Sequence, residues 1–136
     1  MLKKIKVETR LTAQTENGED VIVTESAGTA VIDRDGLLLR YAEAENEGEA
    51  QLLLSDSIAD LHRTGQVRSR MTFVEGRLLP MPYATLEGTY DFSLFTHSLK
   101  VAVSPEGGEF AAKYSLLAGG QQVSDNQLVV RWTFVE

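Results

Sequence analysis

The sequence has no cysteine, which excludes disulfides and thiolate metal sites and gives no sign of an oxidising compartment. No apolar run approaches membrane-spanning length, and the opening Met-Leu-Lys-Lys-Ile-Lys-Val-Glu lacks the apolar stretch of a signal peptide. A cytoplasmic protein with no membrane contact is therefore expected. Positive charge is scarce: thirteen Lys and Arg face twenty Asp and Glu, for a net charge of −7. Such a surface repels phosphate backbones, so no nucleic-acid partner is expected. The densest basic group, Lys3, Lys4, Lys6 and Arg10, has Glu8 in its midst. Helical periodicity is also missing, and no segment could form a helix able to cover a sheet.

Glycine and alternation are what the chain does have. Nine of its eleven glycines mark seven turns, at Gly18, Gly36, Gly48, Gly65, Gly76, Gly107 with Gly108, and Gly119 with Gly120. β-branched and aromatic residues alternate between them, the pattern of an antiparallel all-β domain. Ile5, Val7, Leu11 and Ala13 share one face of a first strand, and Asn17-Gly18 is expected to turn it as a type I′ pair. Gly28 reads as a bend within the second strand. Ile58 to Arg63 is assigned to a strand, since Gly65 would stop a helix within two turns. Pro80 and Pro82 confine their segment to an edge or an irregular entry before a strand at Tyr83 to Leu86. Gly119 to Asn126 is the longest polar stretch and reads as a mobile loop.

The stretch from Tyr90 to Val103 changes face along its length. Tyr90, Phe92 and Leu94 have one parity, and Leu99, Val101 and Val103 have the other. Because side chains alternate with period two, this demands one extra residue, a β-bulge between Phe95 and Ser98. About ten strands result from 136 residues. The expected fold is one domain, residues 1–136, forming a single closed antiparallel barrel of about 8–10 strands with little or no helix, because closure buries one face and removes the edges.

Several segments recur in one known family. They are Leu37-Leu-Leu-Arg-Tyr41-Ala-Glu43, Asp60-Leu-His-Arg63-Thr-Gly65, Arg70-Met71-Thr-Phe73, Pro82-Tyr83 with Gly88 beyond, Thr96, and Gly108-Glu-Phe-Ala-Ala-Lys-Tyr114-Ser-Leu116. In this order and spacing, over about residues 37 to 120, the chain resembles the YwiB-like family of uncharacterised bacterial proteins, a domain of unknown function. It departs from the family at Met81-Pro82-Tyr83-Ala84, where Thr-Pro-Tyr-Gly is usual. The resemblance implies a calycin-like, that is lipocalin-like, barrel and no particular activity.

Calycin-like barrels often hold a small apolar molecule, and the inward side chains expected here include Tyr41, Met71, Phe73, Tyr83, Phe92, Tyr114 and Trp132. Large aromatics on several strands favour simple filling over a ligand cavity. Glu43 has the parity of Leu37, Leu39 and Tyr41, and Arg63 that of Ala59 and Leu61, so both charges point inward. An inward charge must be paired or lie near the mouth. An internal Glu–Arg bridge or a mouth-exposed pair is weighed ahead of Arg63 as anchor for a ligand carboxylate, steadied by Tyr41 or Tyr83.

Other motifs carry less. Glu43, Glu45, Glu47 and Glu49 lack the spacing of a calcium loop and read as a solvated turn. His62 and His97 have no cysteine or second histidine nearby, so no metal or other cofactor is expected, and no Gly-x-Ser-x-Gly elbow supports a catalytic serine. The leading functional reading is a non-enzymatic barrel binding a small apolar or amphipathic ligand in or at its mouth, with Arg63 as the polar contact. A filled barrel acting as a protein-interaction scaffold, or as a homo-oligomer, is the alternative. An enzyme using His97 or the Glu43 cluster is the weaker one.

Overall fold

Alternating sequence and glycine turns produce ten strands and almost nothing else. The computed structural model describes residues 1–136. The strands are β1 (Leu2–Thr15), β2 (Gly18–Asp33), β3 (Gly36–Glu43), β4 (Gly48–Ser55), β5 (Ile58–Thr64), β6 (Arg68–Phe73), β7 (Leu78–Thr85), β8 (Gly88–Ser104), β9 (Gly107–Ala118) and β10 (Gln121–Phe134). One turn of 3-10 helix, Ala44–Asn46, joins β3 to β4. Each strand pairs antiparallel with the next, and β10 returns to pair with β1 from Ile5↔Phe134 to Gln14↔Asp125, closing the barrel. No helix is long and apolar enough to cross a membrane.

The meander gives the barrel two distinct ends. The upper end carries the β2–β3, β4–β5, β6–β7 and β8–β9 turns, and the lower end carries the other five. Inward parity runs through Ile5, Val7, Leu39, Leu52, Ala59, Phe73, Leu94, Phe110, Val130 and Trp132, all buried in one continuous core. Phe73 of β6 meets Phe110 and Tyr114 of β9 edge-on, at ring-centroid distances of 5.7 and 5.2 Å. Strands β6 and β9 are not neighbours in the wall, so these contacts cross the interior and fill it.

The expected bulge in β8 is present. Thr96 pairs with Tyr114 and Ser98 with Lys113, leaving His97 as the extra residue. Before it Phe92, Leu94 and Thr96 point inward; after it Leu99, Val101 and Val103 do. Beyond Phe95 the strand has no β7 partner, because β7 pairs with β8 only from Leu78↔Phe95 to Thr85↔Gly88. The β6–β7 connection takes over part of that edge: Gly76 N–H donates to the Thr96 carbonyl at 2.8 Å, and Leu99 N–H donates to Glu75 Oε1 at 3.1 Å. Strand β7 meets β6 at only two pairs, Arg68↔Ala84 and Ser69↔Tyr83. Pro80 and Pro82 lie in this sparsely paired strand, as proline's missing N–H requires.

Two expectations need correction. Residues 119–126 are not a loop: Gly119 and Gly120, at φ of 59° and 80°, make a tight turn, and β10 starts at Gln121 with a bulge between Gln122 and Ser124. Polar side chains there sit on a solvated strand, which composition alone does not separate from a loop. Nor are Asn17 and Gly18 the central pair of a type I′ turn. Thr15 pairs with Gly18, so Glu16 and Asn17 are central and only Gly18 has positive φ. Thr15 Oγ1 accepts the Asn17 N–H at 3.1 Å, and Thr85 accepts the Glu87 N–H in the same way. A side-chain acceptor before the turn stabilises it without two positive-φ residues.

Candidate functional site

Strand direction decides which side chains meet. At the lower end, β3 and β5 run the same way, β3 finishing on Glu43 and β5 carrying Arg63 as its penultimate residue. Arg63 Nε donates to both Glu43 oxygens, at 3.1 and 3.2 Å, with both side chains partly buried. Of the alternatives the parities left open, a bridge or a mouth-exposed pair, the structure shows a partly buried bridge at the mouth. Asn46 locks the turn beneath it: its Nδ2 donates to the Thr64 and Val67 carbonyls at 3.1 and 2.9 Å, and its Oδ1 accepts the Val67 N–H at 2.6 Å. Burial pushes the Tyr41 and Tyr114 phenols well above their usual pKa. The Glu43 carboxylate adds to the rise at Tyr41, and the Arg63 guanidinium partly offsets it at both.

The remaining candidates divide between core and lower mouth. Met71, Phe73 and Trp132 are buried with Tyr41 and Tyr114, whereas Tyr83 and Phe92 are only partly buried. Tyr83, Tyr90 and Phe92 form an aromatic cluster with ring centroids 5.7 to 6.4 Å apart.

A concavity lies at the upper end. It is a cleft of about 510 Å³ lined by Ile32, Leu37, Leu54, Leu99, Val101, Val103, Trp132 and Phe134, with Asp33, Arg34, Asp35 and Asp56 among its polar lining. Its floor is core, since Trp132, Leu54 and Leu37 are buried, while on its wall Val101 is 45% and Val103 66% exposed. The cause is the β8 bulge, which turns Leu99, Val101 and Val103 inward at a level where no β7 strand stands beside them. The indole Nε1 of Trp132 is buried and has no hydrogen-bond partner. Neither Arg63 nor Glu43 lines this cleft, and the packed core separates them from it.

His97 lies on the outer face beside a polar hollow of about 500 Å³ that also involves Thr12, Lys113, Ser115, Gln122, Asp125 and Gln127. Ser115 Oγ donates to Asp125 Oδ1 at 2.5 Å, and His97 Nε2 lies 2.7 Å from Ser115 Oγ. With its proton given to the carboxylate, the hydroxyl accepts from the imidazole. A nucleophilic triad needs the imidazole between carboxylate and hydroxyl, and here the hydroxyl is in the middle. The trio ties β8, β9 and β10 together. Nothing in the sequence flagged Ser115 or Asp125; only the register of these strands brings them to His97.

Comparison with known proteins agrees with this architecture. The family model described as "Domain of unknown function (DUF1934)" matches residues 5–130. The chain belongs to the DUF1934 family. Among solved structures, this DUF1934 protein is similar to the ywiB protein from Bacillus subtilis, with a TM-score of 0.87 and 16% identity over 99% of this chain and 94% of the other. At that identity the likeness carries the fold. No curated protein matches the chain.

Proposed function

We propose that this DUF1934 barrel is a non-enzymatic cytoplasmic protein that holds a small, partly apolar molecule in its upper cleft, against Trp132. The observation that carries the reading is the cleft itself. Its volume of about 510 Å³ falls within the range of small-molecule sites, and its floor is continuous with the core. Exposed valines above that floor leave apolar surface that a ligand would remove from water, worth roughly 25 cal/mol per Å² buried. Three carboxylates and one guanidinium among the lining residues favour a neutral or cationic polar end over a carboxylate. Arg63, engaged with Glu43 at the opposite end, is not the anchor in this reading.

Trp132 is the only tryptophan, so its fluorescence reports occupancy directly. Titration with decanol, decylamine and decanoate is expected to change its emission saturably, with decanoate the weakest of the three. Val101→Glu is expected to abolish the change while the fold, followed by circular dichroism, persists. Unchanged emission with all three, or equal responses in Val101→Glu, would rule the reading out.

A further inference from the structure

Strand β2 leaves the barrel wall part-way along its length. It pairs with β1 from Leu2↔Val31 to Thr15↔Gly18, but its ladder with β3 stops at Gly28↔Tyr41. Gly28 makes the crossing possible, since a Cβ there would lie 2.0 Å from the Arg40 carbonyl oxygen. Below it, Gly18 to Ala27 has a neighbour on one side only.

The hydrogen-bond phase of that edge follows from the strand's other end. Met1 N–H donates to the Ile32 carbonyl at 3.2 Å and Ile32 N–H donates back to the Met1 carbonyl at 3.1 Å. Even-numbered residues of β2 therefore bond to β1, and odd-numbered residues direct their N–H and C=O away from it. At Thr29, Val31 and Asp33 those groups meet β3. At Glu19, Val21, Val23 and Glu25 they meet no strand.

Unpaired edges are normally blunted by charged side chains, lysine above all, by proline or by a bulge. Between Gly18 and Ala27 β2 has no proline, lysine or bulge, only the carboxylates of Glu19, Asp20 and Glu25, and its three consecutive apolar residues Val21, Ile22 and Val23 are 44%, 50% and 55% exposed. Along β2 itself charge has one sign, although β1 sets Arg10 opposite Val23 and Lys6 opposite Ala27 on the side away from the free edge. No lysine or arginine occurs from Leu11 to Asp33, whereas Glu16, Glu19, Asp20, Glu25 and Asp33 do.

We propose that the β2 edge from Glu19 to Glu25 is a docking site for an extended basic segment of another protein, which adds to the sheet as an eleventh strand. Main-chain bonds to Glu19, Val21, Val23 and Glu25 give affinity, and cationic side chains facing Glu19 and Glu25 with apolar ones facing Val21 and Val23 give selectivity. A second copy of the chain brings no cation to this edge. Antiparallel self-pairing about Ile22 sets Glu19 of each copy directly opposite Glu25 of the other, where like charges destabilise, and pairing about Val21 or Val23 leaves each glutamate facing an uncharged residue. This inference stands apart from the upper cleft.

The test uses a fluorescein-labelled, acetylated seven-residue peptide, Lys-Thr-Val-Thr-Val-Thr-Lys, whose one face sets lysine against Glu19 and Glu25 and valine against Val21 and Val23, and its counterpart with glutamate in place of lysine. Fluorescence anisotropy is expected to show saturable binding of the lysine peptide alone. Binding should weaken at least tenfold in Val23→Pro, which removes an edge N–H that β1 does not use, and in the double charge reversal Glu19→Lys with Glu25→Lys. In the wild-type protein, hydrogen exchange at the Val21 and Val23 amides should slow on binding, a readout independent of how well any variant folds. The proposal is overturned by absence of binding, by binding with unchanged exchange at those amides, or by a peptide-free dimer that protects them.

Discussion

Gly108 lies in β9 opposite Trp132, and the indole rests against its bare Cα. A Cβ built there would be 2.3 Å from Trp132 Cζ2 and 2.8 Å from both Trp132 Cε2 and the Ala102 carbonyl oxygen. The indole is rigid and buried, and the carbonyl belongs to the β-ladder, so neither yields cheaply. Gly108→Ala should therefore cost roughly 2–3 kcal/mol, towards the upper end for overpacking one carbon. In a domain of this size that is a fall in Tm of roughly 6–12 °C, at about 3–4 °C per kcal/mol. The sign is as informative as the size. Gly108 has no left-handed backbone angle, and alanine at an unstrained glycine ordinarily stabilises by about 0.4–1 kcal/mol through the unfolded chain. Thermal melts followed by circular dichroism measure the change, and the emission maximum of the sole tryptophan should move to the red as the indole is pushed towards the cleft. A raised Tm with unaltered emission would refute the packing of Trp132 over Gly108, and with it the description of the cleft floor.

Asn46→Ala removes four side-chain hydrogen bonds from a buried turn, one of them to Glu43, and is expected to cost about 2–3 kcal/mol in urea unfolding, with Val67 N–H left unpaired. Glu43→Gln should cost about 1–2 kcal/mol, because Arg63 then stays partly buried without its counter-charge; Arg63→Met in the same background should add less than it does alone, which a double-mutant cycle measures. Tyr41 and Tyr114 have folded-state pKa values raised by burial, so the folded protein holds both protons after the unfolded chain has begun to lose them. Their contribution is complete below about pH 10 and declines above it by about 1.4 kcal/mol per pH unit per tyrosine. Tyr41→Phe should flatten that decline in urea titrations at pH 10–11.

Much of this architecture was legible because it is local. Alternation and turn glycines define the strands, and the parity switch between Leu94 and Leu99 can only be absorbed by a bulge, which falls on His97. Parity likewise pointed Glu43 and Arg63 inward, but left open whether they bridge or lie as a mouth-exposed pair; the parallel course of β3 and β5 is what brings them together. The cleft was not legible, because it depends on where β7 stops beside β8, and no residue of β8 records that. One clue was nevertheless available. In a meander successive strands run in opposite directions and alternate ones the same way, so Glu43 and Arg63, late in β3 and β5, belong to one end, and Val101, Val103 and Trp132, late in β8 and β10, belong to the other. A single site joining Arg63 to the apolar mouth was thus excluded by topology once ten consecutive strands were counted. The Ser115–Asp125 contact with His97 depends on register across three strands, which alternation leaves undetermined.

The cleft can be tested at one atom. A single tryptophan gives a single indole N–H cross-peak in a ¹H–¹⁵N correlation spectrum, and that N–H has no partner within the protein. On titration with decanol, the account predicts a saturable shift of the Trp132 indole peak together with the backbone amides of Leu37, Leu54, Leu99 and Val101. An indole peak that stays in place while the shifts gather around Glu43, Arg63 and Tyr83 would contradict it.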